Sequence, residues 1–478
     1  MLESNAFSAS NLINGELVAA RSGRLLDVIE PATENILARV PASNGDDVDA
    51  AVSAAAAAFC SFKRTTPGER AEMLLELAAA IEADAEHIAM LESRNVGKPM
   101  PVARDEVPMV VDNLRFFAGA ARTLEGRAGG EYLSGYESYI RREPIGVVAG
   151  IAPWNYPLLM ATWKLGPALA AGNCVVLKPA RQTPLTALYV AALAKEIFPP
   201  GVFNVLSGSA TDMGDYLVSD PRIGLVSLTG DTSTGRHVAR VAANHLSQTH
   251  LELGGKAPVI VLDDADIDAA VAGITLGAFI NSGQDCTSAC RVIATPGSYD
   301  RLLDALIPAV KAIRVGNPAD GDDIAMGPVI SAAHRQSILD VLAATDGTVA
   351  TGGKVLPGKG FFLEPTVVVN PSQRDIIVQT EQFGPVVSVQ RAADIEQAFV
   401  WANDVDFGLA SSVWTQNLNH STRAVRELDF GCVWVNDHLP VVSEMPHGGF
   451  KQSGYGKDMS IYAVAEYTRI KHVMTKSA

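Results

Sequence analysis

Between positions 145 and 235 the chain repeats one unit: a short apolar run, a polar or glycine-bearing break, then a stretch with helical spacing. Gly146-Val147-Val148-Ala149-Gly150-Ile151 is apolar throughout, as a strand covered on both faces must be. Similar runs at 174–177, 202–206 and 225–228 are separated by helical stretches at 157–171, 184–198 and 211–218, and another helix opens after 230–235. Strands separated by helices do not form hairpins; each crossover lays the next strand parallel to a neighbour. A doubly wound α/β sheet is the expected result, and such sheets bind ligands at the carboxyl ends of their strands. Those ends carry Pro153-Trp154-Asn155, Lys178-Pro179-Ala180-Arg181, Gly208 and Thr229-Gly230-Asp231. By position this is a dinucleotide site, although no GxGxxG run marks it.

A second series of the same kind begins at 257–262. A helix over 266–281 leads straight into Ser282-Gly283-Gln284-Asp285-Cys286-Thr287, and strands at 291–294, 366–369 and 386–390 follow, with helices over 299–313 and from Asp394. The expected organisation is a dinucleotide-binding domain over 1–125 and 146–251, and a second α/β domain over 252–440 that carries Cys286. Ahead of the first series lie a hairpin layer over 12–40, turning at Asn14-Gly15 and Ser22-Gly23, and helices over 46–59, 67–95 and 105–123. Glu106 and Asp112 on the last of these read first as a solvated helix face. Segments 126–145 and 460–478 read as a pair of arm strands for oligomerisation.

A chain of 478 residues exceeds one ordinary core, so two or three domains are expected. A net charge of −15 is opposite to the basic footprint of a nucleic-acid binder. Met1-Leu2-Glu3-Ser4-Asn5 lacks a basic and apolar leader pattern, and no uncharged apolar run reaches about 18 residues, so no membrane partner is expected. The cysteines (Cys60, Cys174, Cys286, Cys290 and Cys432) are few, odd in number and scattered. That pattern fits a reducing compartment, hence the cytoplasm.

Cys286 follows a helix and is flanked by glycine and polar residues, which suits either an exposed nucleophile or a small buried thiol. Cys290 four residues on, without further clustered cysteines or histidines, does not make a zinc site, and no metal is expected. Glu252, in Leu251-Glu252-Leu253-Gly254-Gly255-Lys256, is a carboxylate among apolar residues at a strand end. Burial there would raise its pKa and suit it to general-base work, or it is a partnered structural acid. Asn155, between two aromatic residues, offers an amide for an oxyanion hole or for an ordinary turn.

Six segments in order converge on one family: Pro153-Trp154-Asn155-Tyr156-Pro157, Lys178-Pro179, Leu251 to Lys256, Gly283 to Thr287, Glu381-Gln382-Phe383-Gly384-Pro385 and Gly454-Tyr455-Gly456. The chain resembles an aldehyde dehydrogenase along essentially its whole length. The likeness is strongest to the aminobutyraldehyde dehydrogenases, through Asn281 to Thr287 and Ser443-Glu444-Met445-Pro446-His447-Gly448-Gly449. The resemblance implies the aldehyde dehydrogenase fold, a dimer or tetramer, and NAD or NADP as cofactor. It implies Cys286 as the thiolate that attacks the aldehyde, with Asn155 and the Cys286 N–H holding the oxyanion. Glu252 becomes the base that hydrolyses the thioester, and Lys164 joins the catalytic set. Ile151, Ala152, Pro153, Trp154 and Leu253 would line the nicotinamide side, and Lys178, Ala180 and Arg181 the adenosine ribose. Gly208, Thr229, Gly230 and Asp231 would lie near the pyrophosphate, with Glu381 and Phe383 at the nicotinamide ribose.

The chain departs from the family pattern at three places. Ala180-Arg181 replaces a common Ser-Glu after Lys-Pro; the arginine either pairs a 2′-phosphate or points into solvent, which leaves NAD and NADP both open. Asp231 replaces a common serine beside the phosphates, and Ala210 replaces a frequent glycine. For the substrate, Asp285 beside the nucleophile would attract a cationic ω-amine, or only orient its loop. Tyr156 and Trp163 would form an aromatic wall for an ammonium, and Glu106 and Asp112 would add negative charge at the mouth. His447 stands where relatives often carry a tunnel aromatic, which weakens the case for a fully methylated ammonium. The alternatives are a neutral or broad aldehyde substrate, a cofactor-independent cysteine esterase, and a scaffold that has lost its chemistry.

Overall fold

The apolar runs at 147–151, 174–178, 203–205 and 223–229 lie side by side as parallel strands in the computed structural model, which describes residues 9–126 and 128–477. The expectation for Met1 to Asn5 and the extreme end of the arm at Ala478 lie outside the described residues. The sheet is completed by Gln248–Glu252 next to Ile223–Thr229, by Gly454–Tyr455 at one edge, and by the hairpin Asn11–Ile13/Glu16–Val18 at the other. Register aligns the carboxyl ends: Ile151 faces Lys178 and Leu228, and Thr229 faces Glu252. The expected doubly wound α/β architecture is present, and its strand ends sit at one level.

Helix Pro157–Ala171 is buried on every side, as its nearly uniform apolar composition requires. It packs against Met100–Thr123 and Pro67–Ala83, and the C-terminal residues Met459, Ala463, Val464 and Tyr467 return to the same core. A second sheet, in the order Thr348–Thr351, Thr366–Val369, Val386–Arg391, Arg291–Ala294, Pro258–Val261, Ala410–Trp414, Cys432–Val435, has its own cores. The arm strands pair as expected: Thr468–Lys476 runs antiparallel to Tyr136–Pro144, with Gly130–Leu133 outside. No helix among the described residues is long and apolar enough to cross a membrane.

The expected single helix over 67–95 is two helices, Pro67–Ala83 and Ala85–Val96, broken at Asp84. The apolar spacing continues across the break, so periodicity does not register it; Asp84 instead accepts a hydrogen bond from Tyr189 Oη at 2.6 Å. The following helix starts at Met100 rather than 105, and the stretch at 211–218 opens as a π-helical turn, Ala210–Gly214.

Candidate active site

Helix Ile267–Phe279 ends just before three successive residues in left-handed backbone: Asn281, Ser282 and Gly283, with φ of 49°, 59° and 68°. Two of these are not glycine, so the turn is strained and must be held from outside. Asn281 Nδ2 donates to Asn155 O (3.0 Å), and Ser282 Oγ donates to Gly327 O (2.8 Å). Gln284, fully buried, donates to Asn281 O and accepts from Ile330 N–H. A Cβ on Gly283 would lie 2.2 Å from Gly384 O, and one on Gly255 2.0 Å from Cys286 O. Glycine at both positions is therefore a packing requirement of the Cys286 loop.

This loop borders a cavity of about 1090 Å³ between the two sheets. Trp154, Leu253, Glu381 and Phe383 line one side, Asn155, Cys286 and Thr287 the middle, and Tyr156, Trp163 and His447 the other. Burial pushes the Cys286 thiol well up, and the negative charges of Asp285, Glu381 and Glu252 push the same way. Its own backbone N–H works against that rise. Asn155, buried, spends one amide hydrogen on Gln284 O (3.0 Å); an amide has two, and the residue also lines the cavity.

Glu252 ends strand Gln248–Glu252 but is not on the cavity wall. Its carboxyl faces the Gly448 backbone, and neither oxygen has a hydrogen-bond partner among the described residues. Burial raises its pKa well above the carboxylate range, with Asp458 adding to the rise and Lys164 and Lys457 opposing it. Lys164 is also off the wall: fully buried, it sits 2.6 Å from Asp458 Oδ2 and does not reach the cavity.

The substrate side differs from expectation at two residues, Asp112 and Glu106. Asp112 is not in the cavity; its Oδ2 accepts from Ser443 Oγ at 2.5 Å. Glu106 is neither a solvated face nor an open mouth charge. It is 4% exposed and ion-paired with buried Lys98, which also holds Glu92 (3.1 Å), though Glu106 does reach the cavity wall. Burial pushes the Glu106 carboxyl up to about 8, Lys98 opposing and Glu92 reinforcing. Tyr156 already has a cation on its ring, Lys98 Nζ at 4.2 Å from the centroid, and its hydroxyl donates to Asp285 Oδ2 (2.9 Å). Asp285 also accepts from Thr287 N–H and Oγ1, both at 2.7 Å, so it orients the loop and faces the cavity at once. Trp163 donates to Asn113 Oδ1 (2.5 Å) and packs on His447, 5.2 Å between rings; burial lowers the His447 pKa.

On the dinucleotide side, Ile151 ends its strand, and Ala152 just beyond it donates its N–H to Lys178 O (3.1 Å). Lys178 Nζ is buried at the neighbouring strand end with only a 3.4 Å bond to Pro179 O, and burial lowers its pKa to about 8. An under-satisfied buried amine there fits the hydroxyls of a ribose. Glu381 fits likewise: burial pushes it up to about 7 and one oxygen accepts from Gly255 N–H (2.7 Å). Ala180 is half-buried and Arg181 exposed, while Gly208 packs on Met213 beyond the cavity wall. Thr229, Gly230 and Asp231 line the cavity. Asp231 is the N-cap of helix Thr232–Ala242, accepting from the N–H and hydroxyl groups of Ser233 and Thr234. Its awkward charge is thus spent on the helix end.

Sequence reasoning missed Asp105, Met109, His334, Leu276, Asp437 and Val441, all on the wall. His334 bonds Phe383 O (2.7 Å) and stacks edge-on with Trp154 (5.5 Å between rings). Helical spacing around 105 was the one available signal, for Asp105 and Met109.

Two sheets thus place a thiol, a carboxamide and the strand ends expected to hold a dinucleotide around one cavity. The model of the aldehyde dehydrogenase family matches residues 17–473. An aldehyde dehydrogenase of Emericella nidulans is 40% identical over 470 residues, covering 96% of this chain and 94% of that protein. One of Davidiella tassiana is 39% identical over 467 residues, with the same shares covered. Betaine aldehyde dehydrogenase of Staphylococcus aureus, solved in complex with NAD+, superposes with a TM-score of 0.96 at 36% identity, covering 98% of this chain and 95% of the other. PnpE of Pseudomonas sp. WBC-3 gives 0.95 at 38%, covering 98% and 97%. The chain belongs to the aldehyde dehydrogenase family and is an NAD(P)-dependent aldehyde dehydrogenase.

Proposed function

We propose that this enzyme oxidises a cationic aldehyde, an ω-aminoaldehyde such as 4-aminobutyraldehyde, to its carboxylic acid. One observation carries the reading: Asp105, Asp285 and Asp437 line the cavity, and among the described residues no lysine or arginine lines it. A cavity of one sign concentrates the opposite charge. The S. aureus neighbours are named for betaine aldehyde, itself a cation.

In this reading the Cys286 thiolate attacks the carbonyl carbon, and the free Asn155 amide hydrogen and the Cys286 N–H hold the developing oxyanion. When bound, NAD(P)+ supplies the hydride acceptor; Lys178 and Glu381 would hold its riboses. The thioester left on Cys286 is hydrolysed by water, with Glu252 turning from the Gly448 side to take the proton. The arm strands Tyr136–Pro144 and Thr468–Lys476 would join subunits into a dimer or tetramer, and the enzyme would work in the cytoplasm.

A neutral apolar aldehyde is the second reading, favoured by Met109, Leu159, Met160, Leu276 and Val441 on the same wall. A panel of neutral and ω-amino aldehydes of equal length, assayed with NAD and NADP, separates the two. Higher kcat/KM for the ω-amino series supports the proposal; equal values overturn it.

A further inference from the structure

Behind Glu252, on the side away from the cavity, lies a buried histidine that the proposed chemistry has not used. His250 is 1% exposed and sits two residues before Glu252 on the same strand, so both side chains leave the same face. Neither ring nitrogen has a hydrogen-bond partner among the described residues. Yet Nε2 lies 3.5 Å from Asp458 Oδ1 and Nδ1 lies 3.5 Å from Glu466 Oε2. Asp458 is fully buried and its Oδ1 is likewise unpartnered, while the Glu466 side chain is 37% exposed. Two glycines make the passage. A Cβ on Gly448 would lie 2.5 Å from Glu252 Oε1, and a Cβ on Gly456 would lie 2.6 Å from His250 Cδ2 and 3.0 Å from Glu466 Oε2.

We propose that His250 and Glu466 form the proton outlet of Glu252, carrying to solvent the proton that thioester hydrolysis leaves on the base. This rests on the reading of Glu252 as that base. In hydrolysis the water oxygen bonds to the acyl carbon and one water proton goes to Glu252. The C–S bond breaks with its electron pair returning to Cys286, and the carboxylic acid departs. One proton remains on Glu252 and must leave before the next turnover. Its way out runs by Asp458 to His250 Nε2; the ring releases its other proton from Nδ1 to Glu466, which meets solvent.

The groups that face His250 support the direction. Burial lowers its pKa to about 4, Asp458 opposing and Lys164 and Lys457 reinforcing, so the ring is neutral and able to accept at one nitrogen and donate at the other. Tyr467 closes the remaining side edge-on, 5.9 Å between rings. Glu466 also accepts from Lys457 N–H (3.1 Å), which fixes its carboxyl beside the ring. Both contacts stand at 3.5 Å, and catalytic hydrogen bonds are often long before substrate binds.

The test is rapid-quench kinetics on the full-length enzyme, with His250→Asn and Glu466→Gln. Expected in both is an unchanged burst of NAD(P)H and an acyl-enzyme decay slowed about ten-fold or more. In His250→Asn the decay recovers with added imidazole, and in both variants its pH profile changes. Acyl-enzyme decay at the unsubstituted rate, with an unchanged pH profile in both variants, overturns the outlet. Glu466→Gln, half-exposed, keeps the test decisive if His250→Asn does not fold. A normal burst with altered decay supports the outlet. Acyl-enzyme decay at the unsubstituted rate in Glu252→Gln overturns the parent reading along with it.

Discussion

Tyr156 Oη donates to Asp285 Oδ2 across 2.9 Å while Lys98 Nζ lies 4.2 Å from the centre of the same ring. The tyrosine therefore links a buried ion cluster to the residue next to the nucleophile. Asp285 is held rigidly beside Cys286, and the tyrosine ring carries a buried cation that is not on the cavity wall.

The first consequence concerns the thiol. Burial raises the Cys286 pKa and Asp285 is the largest electrostatic contributor to the rise. Asp285→Asn keeps the shape and removes the charge, so the thiolate fraction at a given pH increases. Alkylation of the free enzyme by iodoacetamide should accelerate at pH 8, by up to about ten-fold for each unit the pKa falls. An unchanged rate-versus-pH curve would show that Asp285 does not act on the sulfur.

Substrate choice should respond to charge at the other carboxylates. Asp105→Asn and Asp437→Asn are each expected to lower kcat/KM for ω-aminoaldehydes about two- to five-fold, as partly exposed ion pairs do. Neutral aldehydes of the same length should be unaffected, and added salt should erode the preference. Parallel losses for both substrate classes would point to a packing role.

Glu252→Gln should separate the two halves of the reaction. The NAD(P)H burst is expected to persist while steady-state turnover falls about 10²- to 10⁴-fold, with acyl-enzyme accumulating. Because the Glu252 pKa is raised and the base acts deprotonated, acyl-enzyme decay in the parent enzyme should climb with pH through that raised value. Decay that is flat above pH 5 would contradict the burial of this carboxyl.

The fold class was legible because strand–helix alternation is a long-range pattern written in short apolar runs. So was the Cys286 loop, since Gly-Gln-Asp-Cys-Thr after an apolar helix marks a forced break. Three things were not legible. The Asp84 break leaves apolar spacing intact. The Lys98–Glu92–Glu106 cluster joins residues whose neutralisation depends on tertiary contact, so Glu106 read as a surface acid. Asp437 and Val441 reach the wall only because the second sheet delivers them there, and nothing local in Asn436 to Val442 announces it. The orientation of Glu252 likewise depends on Gly448, nearly two hundred residues away in the chain.

Arg181 is exposed just past the Lys178 strand end and shares an acid with Arg24. Arg24 Nη2 lies 3.2 Å from Asp212 Oδ2, and the Asp212 carboxyl is held below its usual range by Ser209 first, then by Arg24 and Arg181. Two guanidinium groups near a ribose site match a 2′-phosphate, and Asp212 competes with that phosphate for both. Arg181→Gln should therefore raise KM for NADP about ten-fold with kcat and the NAD constants unchanged, a loss typical of one charge-assisted contact. Asp212→Asn should act in the opposite sense and lower KM for NADP, because both arginines are freed. If neither substitution changes the NADP to NAD ratio of kcat/KM, Arg181 points into solvent and the enzyme takes its cofactor without regard to the 2′-position.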